Sequence, residues 1–280
     1  MKRIVKYIFG PLALIILACL LYGFLIEPLL LVRRDVTIAS PHYKGPPLKI
    51  LLLSDFHIGG PNINAKRIQD IVIKTNQHGP YDAVLIAGDF INGHVPRVQR
   101  DAADRADIEQ GIDYLGALNG GLKIYASLGN HDTWYSKSVV TRTLNTAGIA
   151  VLDNDSVMMG RFCIVGIADF DTDRPDIYAA QNCTSDAIKI VITHSPDALA
   201  FAPKNSALIV SGHTHGGQIN LPFIGRRVTS TRAGQAYAYG LKSYRGSPVF
   251  ITAGIGTSIL PARFRAPPEY VVITLRPAQD

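Results

Sequence analysis

Histidines and carboxylates recur along this chain at spacings that suit metal binding. His213 and His215 stand two residues apart in Ser-Gly-His-Thr-His-Gly-Gly. Two imidazoles so placed, followed by paired glycines, suit a turn that aims both rings at one point. Asp55-x-His57 sets a carboxylate and an imidazole on the same side of an extended chain, because residues i and i+2 of a strand share a face. Asp89 follows Gly88, while Asn130, His131 and Asp132 follow Gly129, and His194 ends another apolar run. Imidazole nitrogen and carboxylate oxygen suit Mn, Fe, Zn or Co better than a soft thiolate site would. Two such ions ~3.5–4 Å apart on a shared carboxylate form a clamp for in-line displacement at phosphorus. Water between them loses a proton readily and becomes the nucleophile.

Each group also has a plainer reading. Asp89 suits a turn, Asn130 and Asp132 suit helix caps, His194 suits the edge of a core, and the histidine pair suits a polar loop. What unites them is the element that precedes each one. Segments 48–54, 82–88, 122–128, 187–193 and 207–211 are short, apolar and β-rich, and read as buried strands. Ligands of open α/β sheets gather beyond the carboxyl ends of strands. Five strand ends carrying metal-binding residue types make a shared site the better account.

Helical spacing of Ile68, Ile71 and Val72 predicts a helix over 65–77, with others over 102–118 and 136–146. Further strands are expected at 149–152, 161–168, 236–241, 248–253 and 270–275. Helices alternate with strands early and strands dominate the tail. That order predicts an α/β protein with one partly parallel sheet and a second, more antiparallel one.

The 280 residues are 47% apolar, enough for a substantial core. Residues 7–26 carry no charge, matching the ~20 residues that cross a bilayer as a helix. No small-x-small cleavage site follows, and the lipoprotein-like run ending at Cys19 continues into further apolar sequence. The expectation is an uncleaved anchor with its flanks over 1–34, a linker or first strand over 35–47, and a catalytic domain over 48–280. Five basic residues and one acid in 1–34 supply +4 of the formal +6. Net charge therefore gives no reason to expect nucleic acid. Basic residues flank both ends of the anchor, so charge leaves its orientation open. Cys163 and Cys183 read as free thiols, with neither a disulfide framework nor a thiolate metal site.

The tail has its own bias. No acid lies between Asp197 and Glu269, yet eight Lys or Arg do. Arg226, Arg227, Arg263 and Arg265, with 221–224 and 259–264 as apolar company, predict a cationic rim for substrate or anionic lipid. An ordinary solvated face is the alternative, and Tyr237, Tyr239 and Tyr244 as base-stacking groups are a third.

The set Asp55-x-His57, Gly88-Asp89, Gly129-Asn-His-Asp132, His194 and Gly212-His-Thr-His215 resembles the calcineurin-like metallophosphoesterase superfamily over about residues 48–276. The resemblance implies a four-layer αββα sandwich of two mixed β-sheets. It implies two divalent transition-metal ions, manganese favoured. Asp55, His57 and His215 would hold one, Asn130, His194 and His213 the other, and Asp89 would bridge them. His131 would protonate the leaving group or steady the phosphoryl charge, oriented by Asp132. Gly216-Gly-Gln-Ile-Asn-Leu-Pro222, and Gly254-Ile-Gly-Thr-Ser258 with Pro261, Arg263 and Pro267-Pro-Glu269, resemble a narrower branch of membrane-anchored bacterial phosphodiesterases. That branch includes a UDP-2,3-diacylglucosamine pyrophosphatase of lipid A synthesis. It implies cleavage of a phosphodiester or pyrophosphate bond in a lipid-linked substrate, with membrane lipids as partners, at a bacterial inner membrane. Two rival functions are a broad phosphomonoesterase or protein phosphatase, and a non-enzymatic, metal-stabilised membrane scaffold.

Overall fold

The computed structural model describes residues 2–121 and 123–278; Leu122, which opens the expected third strand, lies outside them. Helix α1 (Lys2–Leu21) continues through a wider π turn, Tyr22–Ile26, and a 3-10 turn, Glu27–Leu29. Its apolar stretch Gly10–Leu29 is long enough to cross a membrane. Strand β1 (Val32–Ser40) follows almost at once and joins the first sheet.

That sheet is built next, from β2 (Leu48–Leu53), β3 (Ala83–Ala87), β4 (Ile124–Ser127) and β5 (Ala150–Val151). Between these strands run α2 (Ala65–Asn76), α3 (Ala102–Gly116) and α4 (Asn130–Thr146). Asn64 and Asp101 cap α2 and α3 by accepting the backbone N–H of Arg67 and Asp104. The helix-facing side chains of β2 and β3, Leu51, Leu53, Val84 and Ile86, pack against Ile68, Ile71, Ile108, Ile112 and Leu144. Helix α4 is broken at Ser136, so the helix expected over 136–146 is its second segment, and a short helical segment from Asn130 precedes it. The Asp132 carboxylate closes the first turn of that segment by accepting the Gly129 N–H.

The second sheet takes β6 (Asp155–Met159), β7 (Phe162–Ile167), β8 (Ile188–Thr193) and β9 (Leu208–Ser211). After a short hairpin, β10 (Asn220–Leu221) with β11 (Gly225–Arg226), come β12 (Gly240–Tyr244) and β13 (Ser247–Ile251). The last strand, β14 (Glu269–Pro277), returns to the first sheet between β1 and β2. The strand orders are β1-β14-β2-β3-β4-β5 and β12-β13-β9-β8-β7-β6. Both sheets are mixed: β2 to β5 run parallel, as do β7, β8, β9 and β13, with antiparallel pairs at β14–β2, β6–β7 and β12–β13. Their inner faces meet through Ile50, Leu52, Leu85, Ile164, Ile192 and Val210, and this apolar layer aligns the strand ends of both sheets at one edge. The outer face of the second sheet is covered by the segment 168–187 and the 3-10 turn Pro196–Phe201.

Two expectations fail here. The alternating Ala-Tyr run at 236–241 was expected to be a strand. Instead Gly234–Tyr237 forms a 3-10 turn, and the Ala238 carbonyl accepts the Thr214 hydroxyl at 2.7 Å, so β12 begins only at Gly240. The cysteines were expected to be free. Cys163 of β7 and Cys183 of the covering segment are joined in a disulfide that staples this segment to the sheet. A polar loop that folds back over its own strand, twenty residues on, brings the two thiols together, and sequence spacing alone does not show that return.

Candidate metal centre

Five strand ends converge on one buried pocket. Asp55 and His57 follow β2, Asp89 follows β3, Asn130 and His131 open α4 after β4, His194 follows β8, and His213 and His215 follow β9. All are buried. His57 Nε2 and His215 Nε2 face each other at 3.0 Å, with Asp55 Oδ1 at 3.4 Å from His215 Nε2 and Asp89 Oδ2 at 3.6 Å from His57 Nε2. On the far side of Asp89, His194 Nε2 lies 3.2 Å from Asp89 Oδ2, 3.2 Å from Asn130 Oδ1 and 3.1 Å from His213 Nδ1. Asp55–His57–His215 and Asp89–His194–His213 each bring their ligand atoms within 4.8 Å of one another, and His57–Asp89–His131 forms a third such set.

The backbone enforces this convergence. Asp55, His57 and Asp89 sit at φ 54°, His213 at 68° and His215 at 50°. Left-handed backbone in non-glycine residues costs on the order of 1–3 kcal/mol each and gathers at functional sites. Glycine is required where the loops touch, since a Cβ on Gly129 would collide with the Asp89 carboxylate and one on Gly212 with Ser54 and Asp55. Neighbouring groups fix the rings. His194 Nδ1 donates to the Ala87 carbonyl at 2.7 Å, which leaves Nε2 free to bind. The Asp55 carboxylate accepts the His213 N–H and that of Asp89 accepts the His131 N–H.

Electrostatics divides the two sides. Burial holds His57 and His215 well below the ordinary imidazole pKa, and the Arg263 charge adds to this at His215. Burial would also lower His194, but the Asp89 carboxylate overrides it and raises His194 well above its usual value. Asp89 is correspondingly held well below the carboxylate range despite its burial, chiefly by His194. The His57 and His215 rings are thereby kept neutral, and imidazole nitrogens converging beside carboxylates in this way are a donor set that a divalent cation completes.

His131 stands at the rim of this pocket. Its Nδ1 accepts the Gly93 N–H at 3.2 Å, so the neutral ring carries its proton on Nε2, which faces Ser258 Oγ at 3.5 Å. The expectation that Asp132 orients His131 is corrected. Asp132 accepts the backbone N–H groups of Phe90, Ile91 and Gly129, and it fixes the loop that carries Asp89. Burial beside the Asp89 charge pushes the Asp132 pKa up to about 7.

The expected rim divides. Arg227 and Arg265 are exposed. Arg226 is half-buried, donating to the Gly216 carbonyl at 2.7 Å and lying over the Tyr239 ring. Arg263 is fully buried, and its expected place on the rim is corrected. Its guanidinium donates to the carbonyls of Ala253, Gly256 and Ala266, and one nitrogen lies 3.5 Å from His215 Nδ1. The single connection between β13 and β14 folds back on itself and leaves a ring of carbonyls that a long cationic fork satisfies.

Five residues of the pocket were not anticipated. A cavity of 230 Å³ over the cluster is lined by His94, Trp134, Asp171, Ser230 and Ser258 alongside the predicted residues. His94 and Trp134 pack on the His131 ring at 4.5 and 4.6 Å between centroids. Asp171 Oδ2 lies 3.5 Å from His213 Nε2. Each sits in a loop or an exposed helix turn, where no apolar strand marks it out.

Residues 48–217 match the family model for calcineurin-like phosphoesterases. An uncharacterized metallophosphoesterase of Bacillus subtilis, YkuE, is 29% identical over 91% of this chain and 89% of its own length. An uncharacterized metallophosphoesterase of Helicobacter pylori is 27% identical over 82% of this chain, which spans only 60% of that relative. A Danio rerio relative, described as a transmembrane protein with a metallophosphoesterase domain, is 29% identical over 95% of this chain and 62% of its own length. The matched segment contains every strand end of the buried cluster, and on that footing the chain belongs to the calcineurin-like phosphoesterase family.

Proposed function

We propose that this chain is a membrane-tethered hydrolase that cleaves a phosphodiester or pyrophosphate bond at a centre holding two divalent cations. The observation that carries the reading is the pair of buried donor sets on either side of Asp89. Asp55, His57 and His215 would hold one cation, Asn130, His194 and His213 the other, and Asp89 would serve both. When bound, such a pair supplies Lewis acidity to the phosphoryl oxygens and acidifies water near phosphorus.

The surrounding residues do the remaining work. With Nδ1 engaged by Gly93, His131 presents an Nε2–H toward the cavity. Giving up that proton would leave an imidazolate, so the ring acts as a fixed hydrogen-bond donor to developing phosphoryl charge rather than as a general acid. No Lys or Arg is among the residues lining this cavity, and Asp171 is. Beyond the two cations of the centre, a dianionic monoester would meet that carboxylate with no side-chain cation to offset it, whereas a diester carries one charge less. This favours the diester over a phosphomonoesterase or protein phosphatase.

The length of α1 supports the tether, as does the description of the Danio rerio relative as transmembrane. The Cys163–Cys183 disulfide supports a catalytic domain on the oxidising face of a bacterial cytoplasmic membrane, since cytosolic thiols are kept reduced.

The test is hydrolysis by the purified full chain, stripped of metal and reloaded in turn with Mn, Fe, Zn and Co. Turnover should return with metal, and kcat/KM should be higher on bis(p-nitrophenyl) phosphate than on p-nitrophenyl phosphate. A preference for the monoester would overturn the diester reading. Bound metal without hydrolysis of either would make the chain a scaffold.

A further inference from the structure

The metal-centre cavity opens sideways. His215, Ser230, Ser258 and Ile259 line both it and a second cleft of 380 Å³. This cleft is walled by Ile219, Leu221, Val228, Ile259 and Leu260, and its volume falls within the ~300–1,000 Å³ typical of small-molecule sites. Across Ile219 and Leu221 it adjoins a third cavity of 280 Å³, which lies against Ile15, Ile16, Leu20 and Phe24 of the anchor segment. A polar, acid-bearing chamber, an apolar cleft and an apolar gap beside the anchor thus lie in series. The cleft walls from Gln218 onward lie beyond residue 217, where the match to the family model ends.

Two further observations point to a ligand. Val228 and Ile259 are 78% and 87% exposed, and the nearby Phe223 is fully so, which is an uncommon outlay of large apolar surface around one opening. Ile259, at the junction of chamber and cleft, also has φ 58°. A β-branched residue is rarely held in that conformation, and such strain persists at ligand clamps. Ile219, Leu221, Val228, Ile259 and Leu260 favour an apolar ligand arm over a polar one.

Resting on the hydrolase reading, we propose that the cleft holds the hydrocarbon arm of an amphiphilic phosphodiester whose phosphate lies in the metal chamber. The occupant is an alkyl or acyl chain, because the cleft begins at the chemistry and ends beside the helix that, among the described residues, is long and apolar enough for lipid. Arg227, exposed on the lining of the cleft, faces the same opening and suits the anionic part of such a molecule. The chain enters from the side of α1, and the headgroup is left towards His131 and His94.

The test uses full-length, Mn-loaded protein in lipid nanodiscs with p-nitrophenyl methyl, butyl and octyl phosphates, which share one leaving group. Each methylene buried in the cleft is worth up to about 0.8 kcal/mol, or about fourfold, so kcat/KM should climb steeply along the series. Leu260→Glu, at a half-exposed wall position, should flatten the climb and leave methyl ester turnover unchanged. Val228→Trp, which fills the cleft, should do the same. In parallel, calorimetry of the matching alkyl phosphonate monoesters on metal-free protein should show the same chain-length dependence and the same loss in Leu260→Glu. A flat series in both measurements overturns the proposal, and so does an equal climb in Leu260→Glu, which would mean simple partition into the lipid. If the methyl ester is not hydrolysed at all, the hydrolase reading fails, and the binding series still decides for or against the cleft.

Discussion

The strand-end pocket and the tail loops use the same residue types in opposite ways. In the pocket, histidines and carboxylates are buried, strained and aimed at each other, and almost every nearby hydrogen bond serves to hold them there. In the tail, four arginines in a similar sequence setting have three different fates: exposed at 227 and 265, half-buried over an aromatic ring at 226, and fully buried among carbonyls at 263. A side chain delivered by the end of a central strand has little choice of direction. One delivered by a long loop points wherever the loop's own unsatisfied carbonyls require.

The largest expected effect tests the first half of that contrast. Asp89→Asn keeps the shape but removes the charge shared by the two donor sets. Metal content of the purified variant, by elemental analysis, should fall at both sites. Diester turnover should drop by more than the roughly 10–100-fold typical of losing an outer-shell partner. Full metal occupancy would remove Asp89 from its shared position.

His131→Ala is next in size. It should keep its metals and lose about 10²–10³-fold in kcat, the range seen when one donor to a developing oxyanion is removed. Because Nδ1 is engaged by Gly93, the loss should be nearly equal for nitrophenolate and alkoxide leaving groups. A much smaller loss with nitrophenolate would restore the general-acid role.

The smallest effect sets two arginines of the tail against each other. Arg263→Leu strands the carbonyls of Ala253, Gly256 and Ala266 and should cost about 3 kcal/mol in thermal unfolding of the full chain. Arg265→Gln, on an exposed side chain, should stay within about 0.5 kcal/mol of the parent. Equal effects would mean that the two positions do not differ as their burial indicates.

Much of the fold was legible because its signals are local. The strands before Asp55, Asp89, Asn130, His194 and His213 are uninterrupted apolar runs, and sequence shows such runs directly. The gathering of these residues into one pocket followed from a general property of strand ends. The disulfide was not legible, because it depends on a loop returning over β7 across twenty residues. Nor was the burial of Arg263, which is decided by three carbonyls that the β13–β14 connection brings together as it folds back on itself. Asp132 was assigned to the right neighbourhood and the wrong partner: the family resemblance implied a pair with His131, but the first turn of a helix offers its carboxylate nearer donors. His94 and Asp171 carried no signal beyond their residue type.

One feature of the anchor segment bears on how the protein meets its substrate. The Glu27 carboxylate is buried and accepts the N–H groups of Arg265 and Ala266, the Gly23 carbonyl accepts the Arg263 N–H, and β1 pairs with β14 from Val32 onward. Arg67 and Lys74 of α2 close the remaining carbonyls of Leu29 and Leu31. There is no slack between α1 and the sheet, and the loop that receives Glu27 is the one whose Arg263 lies behind His215. A catalytic domain on a flexible stalk samples a volume of solution. With α1 seated in a bilayer, as the proposed tether requires, a domain bolted on in this way would travel in a plane with its opening at constant height, and its encounter rate would follow the surface density of a substrate held in that bilayer and not a bulk molarity.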